Sequence, residues 1–206
     1  MFKKVISITL SIIFIVSLFA FTSCSIDFRN EIEKTMDRIL KADSFTVTVD
    51  TDEGKHIYMV NNGTIYFFED YDENEETSYL YSQDGNYYYA HLVEGEETTI
   101  DKFQLEKGAY AAEYMEMLQE SEVINQIFAY RHILDMAEKT STGYKYTEQE
   151  STEEYTYRII YTIEMDKKDL VLTHKYESKK ERQETVVVIS DIGKTKIEIP
   201  NEVLSK

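Results

Sequence analysis

The stretch YTYRIIYTIEM, residues 155–165, decides the fold class of this chain. Large apolar or aromatic side chains occupy every odd position, and among the even positions only Ile160 is apolar. A period of two is typical of a β-strand with one buried face, because successive side chains of a strand point to opposite sides. We therefore predict a long strand here, with Tyr157, Ile159 and Tyr161 facing inward.

The same alternation recurs on both sides of this strand. Asn62-Gly63 and Asp84-Gly85 provide the residues that take positive φ in tight hairpins, so neighbouring strands should pair antiparallel. Pro200 cannot donate to a strand ladder and should end the last strand. Further strands are predicted at residues 45–50, 55–60, 64–68, 79–82, 87–93, 98–105, 170–177, 184–190 and 195–199.

Helical periodicity appears before the first strand and again in the middle of the chain. Residues 29–42 and 109–119 predict helices, and Ser121 is a candidate cap for a third. The predicted buried positions, at spacings of three and four, are Ile32, Met36, Ile39 and Leu40 in the first helix and Val123, Ile127, Tyr130, Leu134 and Ala137 in the last. The expected fold class is α+β, an antiparallel sheet with an N-terminal helix and inserted helices against one face.

Composition limits the classes of partner. The 206 residues carry a formal net charge of −17, a balance that repels nucleic-acid phosphates, so no nucleic-acid partner is expected. No linker rich in Gly, Ser or Pro divides the chain, and the part after the leader is therefore predicted to form one domain.

The beginning of the chain predicts export. Lys3 and Lys4 precede an uncharged apolar run to Phe21, and the only cysteine, Cys24, follows Ser23. This end resembles the lipobox of bacterial lipoproteins, which implies cleavage after residue 23 and a diacylglycerol thioether on Cys24. Residues 24–206 would then be one lipid-anchored domain on the extracytoplasmic face of the cell membrane, and loss of two lysines makes its charge −17 − 2 = −19. An uncleaved signal anchor and a secreted protein with a free thiol remain alternatives.

No catalytic or metal-binding motif is found in the sequence. Asp70, Asp72 and Asn74 have the spacing of a calcium loop, but Glu75 stands where that loop needs Gly, which excludes an EF-hand. We expect no enzyme activity, no cofactor and no metal, and we read residues 69–76 as a solvated acidic loop. The basic cluster at 179–182 is read as a solvated turn, with contact to lipid headgroups as the alternative.

The order of helix, meander, helices and meander, with residues 39–45 and 196–203 at its two ends, resembles the bacterial lipoprotein carriers (Lol-type) and related lipid-binding envelope lipoproteins. The resemblance implies a curved, half-barrel-like sheet with an apolar cavity under the helices. The first hypothesis is therefore a non-enzymatic envelope lipoprotein that binds or carries an apolar ligand such as a lipid. The candidate lining residues are Ile32, Met36, Ile39, Ile127, Leu134, Tyr157, Ile159 and Tyr161.

The alternative hypothesis is an acidic protein-interaction module without a ligand cavity. A carrier needs unfilled apolar space between helices and sheet, whereas an interaction module can have a solid core and should show an exposed patch. The sequence identifies no protein partner in either case.

Overall fold

The computed structural model describes residues 28–71, 74–94, 98–120, 123–151 and 156–205. The predicted signal peptide, Cys24 and the predicted cap Ser121 lie outside these residues. Within them, no helix is both long enough and apolar enough to span a membrane.

The described residues form four helices and eleven strands. The helices are α1 (Phe28–Ile39), α2 (Lys107–Glu120), α3 (Val123–Met136) and α4 (Asn201–Ser205). The strands are β1 (Ser44–Thr51), β2 (Lys55–Asn61), β3 (Thr64–Tyr71), β4 (Asn74–Gln83), β5 (Asn86–Glu94), β6 (Thr99–Leu105), β7 (Glu138–Lys139), β8 (Gly143–Ser151), β9 (Thr156–Asp166), β10 (Asp169–Ser178) and β11 (Arg182–Ser190).

All eleven strands belong to one open antiparallel sheet. Their order is β6-β5-β4-β3-β2-β1-β11-β10-β9-β8-β7, with β6 and β7 at the two edges. The first and last strands pair in the middle, where Val47 lies opposite Ile189. This pairing joins the two meanders into one sheet and confirms the predicted antiparallel α+β class.

The predicted hairpin turns have the expected backbone. Asn62 and Gly63 have φ of 46° and 82°, and Asp84 and Gly85 have φ of 51° and 79°. Positive φ at two successive positions matches the right-handed twist of the flanking strands. The turn residues therefore fix the registers of β2 with β3 and of β4 with β5.

Helices α1, α2 and α3 pack against one side of the sheet, which we call the helix face. Ile32 and Met36 of α1 are fully buried with Val47, Ile163 and Leu172 of the sheet. Their spacing of four puts Ile32 and Met36 on one side of the helix, and the period of two brings alternate strand residues to meet them. The main hydrophobic core thus lies where both periodicities predict it.

The C-terminal segment covers the opposite face, contrary to the sequence prediction. Residues 195–199 form no strand, and Ile197 and Ile199 pack instead with Val203 of α4 against a second apolar cluster. Both neighbouring positions of β11 are already taken by β1 and β10, so no free edge remains beside it. Pro200 immediately precedes α4, and its carbonyl accepts a hydrogen bond from the Val203 amide at 3.0 Å.

The predicted acidic loop is also wrong. Glu69 and Glu76 lie opposite each other in β3 and β4, and Asp70 lies opposite Glu75, so most of that stretch belongs to a long hairpin. The charged ends of two paired strands resemble a loop in sequence because exposed strand residues need no apolar alternation.

Smaller differences concern element ends. Helix α1 stops at Ile39 rather than Ala42, and α3 stops at Met136, so Ala137 lies outside the helix and is only half-buried. Strand β8 was not predicted. Its sequence GYKYTEQES is mostly exposed, and a strand near a sheet edge needs less apolar pattern.

Candidate functional site

The five candidate lining residues on the helices belong to the solid core. Ile32, Met36 and Ile127 have no accessible surface, and Ile39 and Leu134 are 3% and 1% exposed. A side chain that lines a cavity large enough for water keeps some accessible surface, so these five positions fill space rather than surround it.

The three candidates on β9 face the same side but lie in a different environment. Tyr161 packs on the core and meets Tyr130 of α3 edge to face, with ring centroids 5.9 Å apart. Tyr157 and Ile159 are farther along β9, partly exposed, and are not among the described members of that core. The structure therefore separates the eight candidates into a filled interior and an accessible strand end.

Tyr157 lines a groove of about 500 Å³ at this strand end. Its ring stacks on Tyr176 of β10, with centroids 5.9 Å apart and planes 28° from parallel. Tyr176 lies opposite Ile159, so Tyr157 and Tyr176 are diagonal neighbours on the helix face. We call the space bounded by residues 156, 157, 176 and 178–181 the tyrosine groove.

A basic turn forms the rim of the tyrosine groove. The Ser178 hydroxyl accepts hydrogen bonds from the Lys180 amide at 3.2 Å and the Glu181 amide at 3.0 Å, which holds the β10–β11 turn in shape. Lys179 and Lys180 are exposed and form no ion pair with any residue that the structure describes. Their ammonium groups are therefore available to an anionic ligand.

A smaller groove of about 300 Å³ lies beside the same turn and includes residues of the opposite face. Arg158 and Arg182 line it, with Glu177 4.0 Å from the Arg158 guanidinium. The tip of β9, β10 and β11 thus combines stacked phenol rings with four basic side chains. The sequence predicted this basic turn. It did not predict that Tyr157 and Tyr176 lie beside the turn.

Burial shifts the pKa of two helix-face groups near the tyrosine groove. It raises the pKa of Tyr161 above its ordinary value, and it lowers the pKa of His174, whose ring centroid is 5.1 Å from that of Tyr161. Tyr161 and His174 are therefore uncharged aromatic groups at neutral pH, whereas Glu150 lies opposite Tyr157 and accepts a hydrogen bond from its hydroxyl.

A second cluster that sequence reasoning missed crosses β2 to β5. His56 Nδ1 lies 3.3 Å from Glu69 Oε1, and His91 Nε2 lies 3.8 Å from Glu76 Oε2. Ser78 also shares a hydrogen bond of 3.1 Å with His91. The sequence feature that could have revealed this cluster is the placement of histidines on the strands that flank the acidic hairpin. Nowhere in the described ranges do three His, Cys, Asp or Glu side chains come together as a metal site.

Comparison with known proteins gives no relative. No protein-family model, curated protein or solved structure matches this chain.

Proposed function

We propose that the protein is a non-enzymatic, lipid-anchored protein of the bacterial cell envelope that binds an amphiphilic ligand, such as a lipid, in the tyrosine groove. The observation that carries this proposal is the stacked Tyr157–Tyr176 pair beside the Lys179–Lys180 turn. The anchor is the diacylglycerol predicted on Cys24.

The groove chemistry favours a ligand with an apolar or ring-shaped part next to an anionic group. Stacked phenol rings offer flat apolar surface at small entropic cost, and their edges can hydrogen-bond. The two ammonium groups at the rim attract phosphate or carboxylate. This local attraction is needed because the strongly negative chain otherwise repels an anionic ligand. An anionic phospholipid headgroup with the first part of its chains fits both requirements.

The ligand is expected in an open groove rather than in an enclosed cavity under the helices. The five helical candidates are packed in the core, which supports an accessible binding surface over a sealed carrier interior. The curved, half-barrel-like form of the sheet remains part of this proposal, because curvature would bring the groove walls toward the ligand.

The test is calorimetric titration of the intact protein in a lipid-free detergent. Dihexanoyl phosphatidylglycerol is the anionic probe and dihexanoyl phosphatidylcholine is the zwitterionic one. Substituting Lys179→Gln and Lys180→Gln together should weaken binding of the anionic probe about tenfold, or about 1.4 kcal/mol, and change the zwitterionic probe little. Tyr176→Leu should weaken both.

The matched control is the lysine pair in the turn before β10. Lys167 and Lys168 form the turn at the opposite end of that strand, so Lys167→Gln with Lys168→Gln removes the same charge far from the groove. Equal loss in both double variants, or no measurable binding of either probe, would contradict the proposal.

A second candidate, the acidic protein-interaction module, is favoured by the packed core. An interaction module needs no internal cavity. Ile32, Met36 and Ile127 have no accessible surface, so no cavity opens beside them. It predicts no lipid binding at the groove and binding of a basic protein that weakens steeply as salt rises.

A further inference from the structure

The outward face of α3 carries exposed apolar side chains. Phe128 is 55% exposed and Met136 is 46% exposed, and the exposed His132 lies between them at a spacing of four. These three positions lie on the side of the helix away from the buried Ile127 and Leu134. A surface helix normally places charged side chains there, so this face differs from the usual pattern.

Helix α3 has only two charged residues, and both are bound to α1. The guanidinium of Arg131 pairs with Asp37, and Asp135 pairs with Arg29. The pairs run antiparallel along the two helices and use the charges that would otherwise face outward. In a chain where charged residues make up 30%, the outward face of α3 is a window without unbalanced charge in an acidic surface.

The same ion pairs locate this window relative to the predicted anchor. Arg29 bridges to Asp135, the residue before Met136, and Phe28 is the first residue that the structure describes. Cys24 is four residues before Phe28, and four residues of chain span at most about 14 Å. A diacylglycerol on Cys24 would therefore hold the Met136 end of α3 close to the membrane surface.

We propose that the outward face of α3, formed by Phe128, His132 and Met136, lies on the phospholipid bilayer that holds the anchor. The inference rests on the proposed function only through lipidation of Cys24. Apolar side chains of an interfacial helix enter the boundary between headgroups and acyl chains.

Charge favours this orientation over one that turns an acidic part of the surface to the bilayer. With a net charge of −19 expected for the anchored domain, most of its surface is repelled by anionic headgroups. A face without unbalanced charge approaches a bilayer at lower electrostatic cost than this acidic surface does. One lipid-linked residue and one helix face together would fix the orientation of the domain on the membrane.

The test uses spin labels on the intact, lipidated protein in vesicles of phosphatidylcholine and phosphatidylglycerol. Lipidation blocks Cys24, so single substitutions Phe128→Cys and Met136→Cys supply the only reactive thiols, and Glu53→Cys in the exposed β1–β2 turn is the matched control. Nitroxides on α3 should be at least threefold more accessible to oxygen than to a water-soluble nickel complex, relative to the control. Circular dichroism verifies that each variant is folded.

Labels on α3 as accessible to nickel as the label at Glu53 would overturn the inference. Protection that disappears when the protein is diluted in lipid would also overturn it, because a second copy would then be the covering surface. An N-terminal peptide whose mass lacks diacylglycerol would overturn the anchor and the orientation together, whereas the calorimetric titration reports on the tyrosine groove independently.

Discussion

At the scale of single residues, Gly143 shows how one position sets the packing of a strand next to the sheet edge. A side chain there would overlap the carbonyl oxygen of Ile163 and lie 3.0 Å from the Glu164 Cα in the adjacent strand β9. Both contacting atoms belong to the backbone, which cannot move out of the way by a rotamer change as a side chain can. The pairing of β8 with β9 at its first residue therefore depends on the absence of a Cβ.

Gly143→Ala should destabilise the protein by about 1–3 kcal/mol, since the backbone must shift to admit the methyl group. Gly108→Ala is the matched control, because a Cβ there meets nothing within 4 Å. In helix α2 the control should instead stabilise by about 0.5–1 kcal/mol. Urea unfolding measures both, and an unchanged midpoint for Gly143→Ala would show that β8 gives way without cost.

Tyr81 is a second informative residue. It is 1% exposed, and its hydroxyl has no hydrogen-bond partner among the described residues. Tyr81→Phe should therefore stabilise the protein by about 1 kcal/mol, because a buried polar atom without a partner is removed. Tyr89→Phe, which loses the 3.1 Å hydrogen bond to Ser78, should destabilise by about the same amount. Two variants with equal stability would be inconsistent with this assignment.

His174 gives a pH dependence with a definite sign. Burial lowers the pKa of its imidazole from the ordinary value of 6.5, so the unfolded chain takes up a proton first as pH falls. The stability that neutral His174 contributes is complete above about pH 6.5 and is lost as pH falls through the lower pKa of the folded state. The loss of stability between about pH 7 and about pH 5 should be smaller in His174→Gln than in the wild type. An equal loss of stability in His174→Gln and the wild type over this pH range would contradict the prediction.

At the scale of elements, the C-terminal segment acts as a cover for the outer side of the N-terminal meander. Val203 of α4 is fully buried against Tyr79, Tyr81 and Leu92, and the ammonium of Lys102 donates a hydrogen bond to its carbonyl at 3.1 Å. Thr195 shares a buried hydrogen bond of 2.9 Å with Thr46 at the other end of the segment. The segment thus contributes a second core rather than a twelfth strand.

Val203→Ala should destabilise the whole sheet by about 2 kcal/mol through lost burial and the space left behind. Glu202→Ala, at the exposed neighbouring position, should have a much smaller effect. Thermal unfolding followed by circular dichroism makes the comparison. Similar melting temperatures for Val203→Ala and the wild type would mean that the second cluster adds little to stability.

At the scale of the whole molecule, one open sheet carries a large excess of negative charge. The formal charge is −17 for the full chain, and the two histidine–carboxylate pairs and five further ion pairs found in the described residues leave most carboxylates solvated. Mutual repulsion of these groups opposes the compact state. Salt concentration and pH should therefore change the stability of the folded state.

Raising salt from about 10 mM to about 150 mM should increase the melting temperature, because the screening length falls from about 30 Å to about 8 Å. The increase should disappear near the calculated pI of 4.6, where the net repulsion is gone. A melting temperature at neutral pH that does not respond to salt would indicate that the carboxylates are already compensated.

The sequence alone determined what depends on near neighbours in the chain. Alternation identified β9 and the face that carries Tyr157, Ile159 and Tyr161, helical spacing identified the buried side of α1, and the Asn-Gly and Asp-Gly pairs identified two hairpins. These features follow from local geometry, because side-chain direction repeats every two or 3.6 residues and positive φ depends on residue type.

Tertiary structure decided what depends on distant neighbours. Only the pairing of β1 with β11 makes the two meanders one sheet, and that pairing leaves residues 195–199 no edge to join. Packing also decided that Ile32, Met36 and Ile127 fill the core while Tyr157 meets Tyr176 at an open groove, although all of these positions have the same apolar pattern. A period in sequence reports which way a side chain points, whereas the elements that fold over it determine whether it ends in a core or at a surface.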